Sequence, residues 1–432
     1  MSTDNGLATR LTVSAWPGLQ PRLLNVPDAA GGEDHRAYEL TGGYQDLDDP
    51  DALLDAVDRS GLLGRGGAAF PLAVKLRTVR ANGRAGTGTA VLANGEEGEP
   101  ASIKDRWLLR NRPHLVLDGV RLAARIVNAD SAFVYVSDTV AADAVTAALD
   151  AAPMGALTVR VVTVDAGYVA GEETAAVRAV NGGPAKPTDK PPRPFEEGIA
   201  AVPTLVSNVE TLANLPFILR NGSDAYRAQG TSASPGTFLA TVTGAGRPSA
   251  LYELPHGTPV TALLEHHGVR AEDVKGVLMG GYFAGLLNRE VLDTTLDHES
   301  MRRLNSGLGC GAVAILTDDC PVAVASEVMA YFDRENAGQC GSCFNGTAAM
   351  AAVTDALRRG VATDEDLTRL ERWSVVLRGR GACATLDAAT NVAASLLRAF
   401  PSDVTRHLAG ECDACRADAY SVLRPYEVET VS

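Results

Sequence analysis

Residues 132–164 read AFVYVSDTVAADAVTAALDAAPMGALTVRVVTV, and this stretch decides the fold class. It begins with a short run of β-branched and aromatic residues, continues with apolar residues at helical spacing over 139–151, and ends with a second β-rich run over 157–164. The outer runs predict strands and the middle one a helix. Upstream, residues 89–93 predict another strand and 114–127 another helix. Strands that alternate with helices predict a three-layer α/β domain around a parallel sheet.

The rest of the chain divides by composition on either side of this domain. Residues 51–63 and 71–80 show helical spacing around a glycine-rich loop, and residues 186–198 are too rich in proline for a helix or a central strand. Residues 236–318 predict a second, smaller α+β core, whereas helical spacing dominates from residue 321 onward. The predicted boundaries are an irregular N-terminal arm (1–48), the α/β domain (49–232), the α+β domain (233–320), a helical domain (321–408) and a tail (409–432).

Composition excludes several functional classes. The 432 residues carry 39 basic and 53 acidic side chains, a net charge of −14, so we expect no nucleic-acid partner, because such a partner requires clustered Lys and Arg. The hydrophobic fraction of 46% and the charged fraction of 21% are typical of globular proteins. No apolar run approaches the ~18 residues that span a bilayer, and the N-terminus lacks the apolar core of an export signal. We therefore expect no direct membrane span and a cytoplasmic location.

The glycine-rich loop is a candidate anion-binding site. Gly64, Arg65, Gly66 and Gly67 precede a predicted helix that contains Lys75. Backbone N–H groups, the positive end of a helix dipole and a lysine can together bind one phosphate. The loop follows a helix, however, and so departs from the strand–loop–helix order of the dinucleotide fingerprint. On spacing alone, a phosphate site and a simple helix-linking turn both stay open.

Two polar, mostly acidic segments follow predicted strands. Asn94, Glu96, Glu97 and Glu99 come after one strand, and Glu172 and Glu173 come after another. Open α/β sheets bind ligands at the carboxyl ends of their strands, where a carboxylate can accept hydrogen bonds from ribose hydroxyls and repel a 2′-phosphate. This pattern favours NADH over NADPH as a ligand. The alternative interpretation is a solvated acidic rim.

The cysteines are concentrated toward the C-terminus. Cys340 and Cys343 form a C-x-x-C pair, and Cys383 follows later in the chain. Thiolates in this arrangement suit an iron–sulfur cluster or zinc, and unrelated buried cysteines are a third possibility. Cys412 and Cys415 form a second pair, which fits an exposed thiol pair or an intermolecular zinc or redox contact as well as ligation.

Several segments together resemble the NADH-oxidising, flavin-carrying 51 kDa component of respiratory complex I (NADH:quinone oxidoreductase) and its relatives in NAD-linked hydrogenases and formate dehydrogenases. The similarity covers roughly residues 50–405. In the family's order, the segments are GLLGRGGAAFPLAVK (61–75), ANGEEGEPASIKDR (93–106), DAGYVAGEETAAV (165–177), PTLVSNVETLANLP (203–216), and AGQCGSCFNGT (337–347) with GACATLD (381–387).

The resemblance implies a Rossmann-like flavin and NADH domain, a ubiquitin-like β-grasp (soluble-ligand-binding) domain and a C-terminal helical bundle that holds a four-iron four-sulfur cluster. In that family NADH stacks on FMN and gives up a hydride, and electrons then pass singly to the cluster. Phe70 would stack on the NADH adenine, and Cys340, Cys343 and Cys383 would bind the cluster. The residues that would bind FMN and NAD(H) are Gly64, Arg65, Gly66, Gly67, Phe70, Lys75, Asn94, Glu96, Glu97, Tyr168, Gly171, Glu172, Glu173, Ser207, Asn208 and Thr211.

The chain departs from the family pattern at several positions. Ala337 stands where the family has its first cluster cysteine, and alanine cannot bind iron. Our hypothesis is that Cys310 supplies the fourth thiolate; the alternatives are a three-cysteine or three-iron cluster, or loss of the cluster. Ala69 and Ala170 stand where the family usually has Gly and Cys, and Glu96 stands where it usually has Asp.

The sequence therefore predicts an NADH:acceptor oxidoreductase that passes electrons from FMN through an iron–sulfur cluster to a redox protein. A ferredoxin-like or thioredoxin-like iron–sulfur subunit or a membrane reductase would serve as the partner, in an assembly separate from complex I. Hydride transfer to a flavin requires no acid–base triad, so the seven histidines look incidental. One alternative is a binding or scaffold protein that has lost flavin or cluster. Another is an enzyme that reduces NAD with electrons from a ferredoxin.

Overall fold

The computed structural model describes residues 11–25, 32–83, 88–410, 412–417 and 420–429. The strands in these ranges are β1 (Thr12–Ala15), β2 (Ala90–Asn94), β3 (Ser131–Val136), β4 (Thr158–Thr163), β5 (Thr204–Asn208), β6 (Thr237–Gly244), β7 (Ala250–Pro255), β8 (Thr258–Pro259), β9 (Gly276–Met279), β10 (Leu286–Asn288), β11 (Thr295–Leu296) and β12 (Ala312–Leu316). The α-helices are α1 (His35–Leu40), α2 (Pro50–Ser60), α3 (Leu72–Gly83), α4 (Lys104–Asn111), α5 (Pro113–Val127), α6 (Thr139–Leu149), α7 (Glu173–Val180), α8 (Val209–Ala213), α9 (Leu215–Arg227), α10 (Val260–His266), α11 (His298–Arg303), α12 (Pro321–Glu335), α13 (Gly341–Arg358), α14 (Asp364–Val376), α15 (Thr385–Ala399), α16 (Pro401–Leu408) and α17 (Asp413–Ala417).

A four-stranded parallel sheet forms the centre of the predicted α/β domain, in the order β4-β3-β2-β5. Successive residues of a strand face opposite sides of the sheet, and both Val91 and Leu92 of β2 are fully buried. Both faces are therefore covered, as is usual for parallel sheets. The predicted alternation of strands and helices in this part of the chain is confirmed.

The strand order creates a crevice at the carboxyl ends of β2 and β5. The chain runs from β2 outward through β3 to β4, and then returns to β5 on the other side of β2. Such a reversal of strand order is where open α/β sheets bind ligands. Asn94 and Asn208, the last residues of β2 and β5, lie opposite each other in register.

A six-stranded mixed sheet, in the order β1-β7-β6-β12-β9-β10, forms a second core. Its first strand comes from the N-terminal arm, because β1 pairs in parallel with β7, with Thr12 opposite Ala250. The arm also contains α1, so it differs from the irregular segment that the sequence predicts. A four-residue strand is too short to show a period, and its partner lies in a distant part of the sequence.

From residue 321 onward the described residues form helices and no strand, as the sequence predicts. Met350 of α13 and Leu386 and Leu396 of α15 are completely buried in the core that these helices share with α12. None of the helices in the described ranges is long and apolar enough to cross a bilayer.

The proline-rich segment over 186–198 holds no helix or strand, as predicted. It lies between α7 and β5 of the α/β domain and contacts the helical domain through hydrogen bonds. The Lys186 ammonium donates to the Ala337 carbonyl at 3.0 Å. The Gln339 side-chain amide donates to the Pro187 carbonyl at 2.7 Å. These contacts hold the segment against the loop that precedes α13.

Candidate active site

A cavity of about 480 Å³ opens at the carboxyl ends of β2 and β5, and it is here called the large cavity to distinguish it from the much smaller cavity at Cys340, Cys343 and Cys383. Its walls come from the loop between α2 and α3, the segment after β2, the loop before α7 and the end of β5. Phe283 and Cys310 line it on the side of the six-stranded sheet, and residues 383–385 line it on the side of the helical domain. The predicted FMN- and NAD(H)-binding residues that line it are Gly64, Gly66, Gly67, Phe70, Lys75, Asn94, Glu96, Glu97, Tyr168, Gly171, Glu172, Glu173, Ser207, Asn208 and Thr211.

Arg65 is the one predicted nucleotide-binding residue that does not line the large cavity. Its buried guanidinium donates to the Tyr226 hydroxyl at 3.1 Å and the Thr237 carbonyl at 3.0 Å, and it lies 3.9 Å from a Glu210 carboxylate oxygen. The Arg65 backbone amide donates to Thr211 Oγ1 at 2.8 Å. The structure does not bear out the predicted role of this side chain, which instead ties the glycine-rich loop to the six-stranded sheet.

The glycine-rich loop brings bare backbone to the cavity wall. Gly67 has φ +117°, and a Cβ there would lie 3.0 Å from Cζ of Phe283. A Cβ on Gly66 would lie 3.2 Å from Cβ of Asn208. Ala69 has φ +50°, in the left-handed region that favours the glycine usual in the family. The loop thus has the close backbone approach that a phosphate or a ring system requires.

The two asparagines at the strand ends hold the neighbouring loops in place. The Asn94 side-chain amide donates to the Gly171 carbonyl at 2.8 Å. The Asn208 amide donates to Asp105 Oδ2 at 2.7 Å, and its side-chain oxygen accepts from the Glu210 backbone amide at 3.0 Å. The second contact caps α8, so Asn208 fixes both that helix and the edge of the cavity.

Glu96 and Glu97 differ in how their carboxylates are used. Glu96 is 6% exposed, and one of its oxygens accepts from the Gly167 amide at 3.4 Å. Its other oxygen has no hydrogen-bond partner among the described residues, and burial raises the pKa of Glu96 to about 7. Glu97 accepts from the Ser102 hydroxyl at 2.6 Å and from the Arg106 backbone amide at 3.0 Å, at the start of α4. Glu96 therefore retains an acceptor for a ligand hydroxyl, whereas Glu97 holds a helix.

The second acidic pair fixes the start of α7. Glu172 is the N-cap of this helix, and its side chain accepts from the backbone amides of Thr174 and Ala175 at 2.8 and 3.1 Å. The Lys190 ammonium, from the proline-rich segment, lies 2.6 Å from Glu172 and 3.3 Å from Glu173. This lysine partly neutralises the acidic rim and holds the proline-rich segment against the cavity.

Two lysines lie at this edge of the sheet. Lys75 lines the cavity, its ammonium donates to the Val206 carbonyl at 3.1 Å, and burial lowers its pKa. Lys104 is buried and lies 2.7 Å from Asp105 and 3.0 Å from Glu210. Sequence reasoning did not single out Lys104, although it lies within the quoted segment 93–106.

Glu99 is a second buried acid in the segment after β2, and it is one of the carboxylates that the sequence predicts to meet a ribose hydroxyl. It lines the large cavity, and its carboxylate accepts from the Tyr282 backbone amide at 3.0 Å. Burial raises the pKa of Glu99 to about 8. Because Tyr282 follows β9 of the six-stranded sheet, this hydrogen bond joins the α/β domain to the domain of that sheet.

Three of the predicted cluster ligands surround a second, small cavity. Cys340, Cys343 and Cys383 line it together with Ala337 and Pro187. Cys340 and Cys343 are at the start of α13, where Cys340 is the N-cap. The Ala382 backbone amide lies 3.4 Å from the Cys340 sulfur, so it can donate to a thiolate there. The structure thus brings together the thiols on which the family resemblance rests.

Cys310 does not line this small cavity. It lines the large one, where its sulfur donates to the Gly280 carbonyl at 3.5 Å. The structure therefore does not support the hypothesis that Cys310 completes the cluster, because Cys310 is absent from the lining of the cavity where Cys340, Cys343 and Cys383 meet. A set of three thiolates, with Ala337 beside them, is the arrangement that the small cavity presents.

Cys383 is common to the two cavities. It lines the small cavity with the other two thiols, and it lines the large cavity next to Ala384 and Thr385. Any groups held in the two cavities would therefore be separated by little more than this short segment of chain.

A second group of metal-binding side chains lies elsewhere in the helical domain. Cys320, His407, Cys412 and Cys415 place their ligand atoms within 4.8 Å of one another. Sequence reasoning left the role of Cys412 and Cys415 open, missed Cys320, and treated the histidines as incidental. The spacing H-x4-C-x2-C over 407–415 was the signal that could have identified His407.

Comparison with known proteins identifies the family. Residues 57–217 match the Nuo51 FMN-binding domain, and residues 323–407 match the NADH-ubiquinone oxidoreductase-F iron-sulfur binding region. An NADH-quinone oxidoreductase subunit of Rhizobium meliloti (strain 1021) is 32% identical over 413 residues, which are 90% of this chain and 98% of that protein. The chain belongs to the 51 kDa family of NADH-quinone oxidoreductase subunits. Members of this family oxidise NADH and depend on FMN and an iron–sulfur cluster, and the chain is an oxidoreductase of that kind.

Hydrogenase subunits are similar to this member of the 51 kDa family as well. NADP-reducing hydrogenase subunit HndC of Solidesulfovibrio fructosivorans is 30% identical over 398 residues, which are 88% of this chain and 80% of that one. An NAD+-reducing [NiFe]-hydrogenase solved in its H2-reduced state is 31% identical, with a TM-score of 0.74 over 84% of this chain and 63% of the solved chain. The FMN-binding match contains most of the lining of the large cavity, and the iron–sulfur match contains the three thiols of the small cavity.

Proposed function

We propose that the chain oxidises NADH in the large cavity, with FMN bound beside it, and delivers single electrons through a cluster in the small cavity to a protein partner. The observation that carries this proposal is Cys383, which lines both cavities. FMN supplies the chemistry that turns a two-electron hydride donor into a source of single electrons. The residues around it need only bind, orient and keep out water.

The contacts of the cavity residues suggest a division of labour. The bare backbone at Gly66 and Gly67 and the ammonium of Lys75 would hold the flavin phosphate. The unpartnered oxygen of Glu96 would accept a hydrogen bond from a ribityl or ribose hydroxyl. Phe70 is 46% exposed beside the cavity, where its ring can stack on an adenine without closing the entrance.

The small cavity would hold the cluster through Cys340, Cys343 and Cys383. Family members have a 4Fe-4S region here, and Ala337 removes one thiolate of the usual four. We infer a cluster with three cysteine ligands, either with one iron not bound by cysteine or with three irons. The Lys186 ammonium donates to the Ala337 carbonyl and so contacts the chain where that fourth thiolate would stand.

The acceptor is a redox protein that docks next to the small cavity. Cys340 and Cys383 are partly exposed, so a partner's cofactor can approach the cluster from outside. Phe344, one residue after Cys343, is 40% exposed and gives this surface an apolar contact point. A ferredoxin-like or thioredoxin-like iron–sulfur subunit, or a membrane reductase, suits this arrangement. The departures at Ala337, Ala69 and Ala170 favour an assembly other than complex I.

The finer domain assignment is part of the same proposal. The six-stranded sheet with α10 would correspond to the β-grasp domain, and helices α12–α16 to the cluster-bearing bundle. The α/β domain would then be the Rossmann-like part. The hydrogen bonds from the Tyr282 amide to Glu99 and from Arg65 to the Thr237 carbonyl link the α/β domain to the six-stranded-sheet domain.

Purification with added FMN tests the proposal against its strongest alternative. An NADH-oxidising enzyme retains FMN, shows visible flavin absorbance and is bleached by NADH under anaerobic conditions. A scaffold protein that is folded but retains no FMN would show none of this, and that result would overturn the proposal. If a reduced ferredoxin reduces NAD faster than NADH reduces the flavin, the chain works in the opposite direction.

A further inference from the structure

We propose that Cys320, His407, Cys412 and Cys415 form a structural zinc site that is separate from the iron–sulfur site. The four residues come from three places in the helical domain. Cys320 directly precedes α12, His407 lies in the last turn of α16, and Cys412 and Cys415 lie at the start of α17. All four ligand atoms lie within 4.8 Å of one another, although Cys320 is far from the others in sequence.

The distances fit one tetrahedral ion. Zinc binds thiolate sulfur at about 2.3 Å and imidazole nitrogen at about 2.0 Å, so ligand atoms around it lie roughly 3.5–3.8 Å apart. His407 Nε2 lies 3.1 Å from the Cys320 sulfur and 3.7 Å from the Cys415 sulfur. A cubane cluster would spread its ligands more widely, because each sulfur binds a different iron. Three sulfurs and one nitrogen are also a common structural zinc set.

The surroundings of His407 prepare it as a ligand. Its ring is 1% exposed, and Nδ1 lies 3.0 Å from the Leu357 carbonyl oxygen. A carbonyl oxygen only accepts, so Nδ1 must carry the proton and Nε2 presents its lone pair to the three sulfurs. A carbonyl partner on the far nitrogen is typical of metal-binding histidines. The imidazole is therefore already in the tautomer that binds zinc.

Cys320 is prepared in a similar way. It is buried at the N-terminus of the fifteen-residue helix α12, where the backbone amides of Val322 and Ala323 face its sulfur. These amides can donate hydrogen bonds to a sulfur that is bound to a metal. A cavity of about 700 Å³ lined by Cys320 and Cys412 adjoins the group and gives the ion a path in.

The site would hold the C-terminal segment against the body of the protein. Beyond Cys415 this segment returns to the domain interface, where the Tyr426 hydroxyl donates to Asp319 at 2.7 Å, next to Cys320. The Tyr282 hydroxyl donates to the Pro425 carbonyl at 2.5 Å, close to the Glu99 contact at the large cavity. Zinc would thus fix a segment that supports the cavity without contributing to its chemistry.

The test is metal analysis of the untagged full chain and two variants. We expect one zinc per wild-type chain, in addition to iron. Cys415→Ser is expected to lose zinc and keep its iron, whereas the control Cys343→Ser is expected to lose iron and keep its zinc. Loss of iron with retention of zinc in Cys415→Ser would overturn the proposal, and so would wild-type protein without zinc after growth in zinc-supplemented medium.

Zinc X-ray absorption of the wild-type protein keeps the test valid if Cys415→Ser does not fold. We expect zinc to be coordinated by three sulfurs at about 2.3 Å and one nitrogen at about 2.0 Å. Coordination by oxygen and nitrogen alone would show surface-bound zinc and contradict the assignment. Because these readouts require neither FMN nor NADH, they can fail while the proposed function stands.

Discussion

Replacing Glu99 by glutamine should make the unfolding free energy of this protein less dependent on pH. An unperturbed glutamic acid has a pKa of about 4.3, whereas burial raises the pKa of Glu99 to about 8 in the folded state. The folded protein therefore binds this proton more tightly than the unfolded chain does. The tighter proton binding by folded Glu99 adds to the unfolding free energy, and this addition is fully present below a pH of about 4.3 and is lost as the pH rises toward 8.

The size of the effect follows from the same two values. Between about pH 5 and pH 7 the Glu99 carboxyl group is mostly ionised in the unfolded chain and mostly protonated in the folded protein. As the pH rises over this range, the unfolding free energy of wild type should therefore fall by about 2.5 kcal/mol relative to that of Glu99→Gln. Glutamine keeps an oxygen that can accept from the Tyr282 amide, so the geometry is preserved. Urea unfolding at pH 5, 6 and 7, followed by circular dichroism, measures the difference at each pH.

Glu265 provides a matched control, because it is exposed on α10. Glu265→Gln should leave the pH dependence of unfolding as it is in wild type. If Glu99→Gln also follows wild type in parallel from pH 5 to pH 7, the Glu99 carboxyl group titrates normally. The account of a buried, protonated acid between the two sheets would then be wrong.

Three further predictions concern the two cavities. Gly67→Ala should weaken FMN binding at least tenfold in a fluorescence titration, because φ is +117° and the new Cβ would meet a ring; Gly182→Ala, at φ +86° in open space, should not. Arg65→Ala should lower the unfolding free energy by about 3 kcal/mol, because it breaks a buried ion network. The folded variant should nevertheless bind FMN with the affinity of wild type. A large loss of FMN affinity would show that Arg65 belongs to the binding site. Ala337→Cys should change the low-temperature paramagnetic resonance spectrum of the cluster, whereas Cys310→Ser should leave iron content and spectrum unchanged; the reverse pattern would show that Cys310 is the fourth ligand.

Much of the α/β domain could be predicted from sequence, because its signals are local. The alternation of β-rich runs with helical spacing over 89–164 reflects strands buried on both faces and helices that cover them. The glycine loop and the polar strand ends were recognisable for the same reason, since each lies directly beside its element. Most of the predicted nucleotide-binding residues therefore line one cavity.

What the sequence did not reveal depends on contacts between distant segments. β1 is too short to recognise without β7, its partner in the sheet. Arg65 stands in a loop motif, but its side chain turns toward Tyr226 and Thr237, and no local rule specifies that direction. Cys320 and His407 meet only after the helices fold together.

The predicted cluster ligands include some that local sequence signals place correctly and one that they do not. Cys340 and Cys343 are close in sequence, and their joint placement could be predicted from a helix start. Cys310 was proposed as a fourth ligand by elimination, and the structure places it at the other cavity. The sequence could not decide between Cys310 and a three-cysteine cluster, because no local signal shows which residues lie beside Ala337 in the folded chain.

The most direct test of the central claim is an anaerobic NADH titration of the purified, FMN-loaded protein, followed by visible absorbance and low-temperature electron paramagnetic resonance. The account predicts that NADH bleaches the flavin and that a reduced-cluster signal appears in the same sample, because Cys383 joins the two cavities. Bleaching without any cluster signal, in protein that contains iron, would contradict the electron path. Folded protein that binds no FMN would contradict the account as a whole.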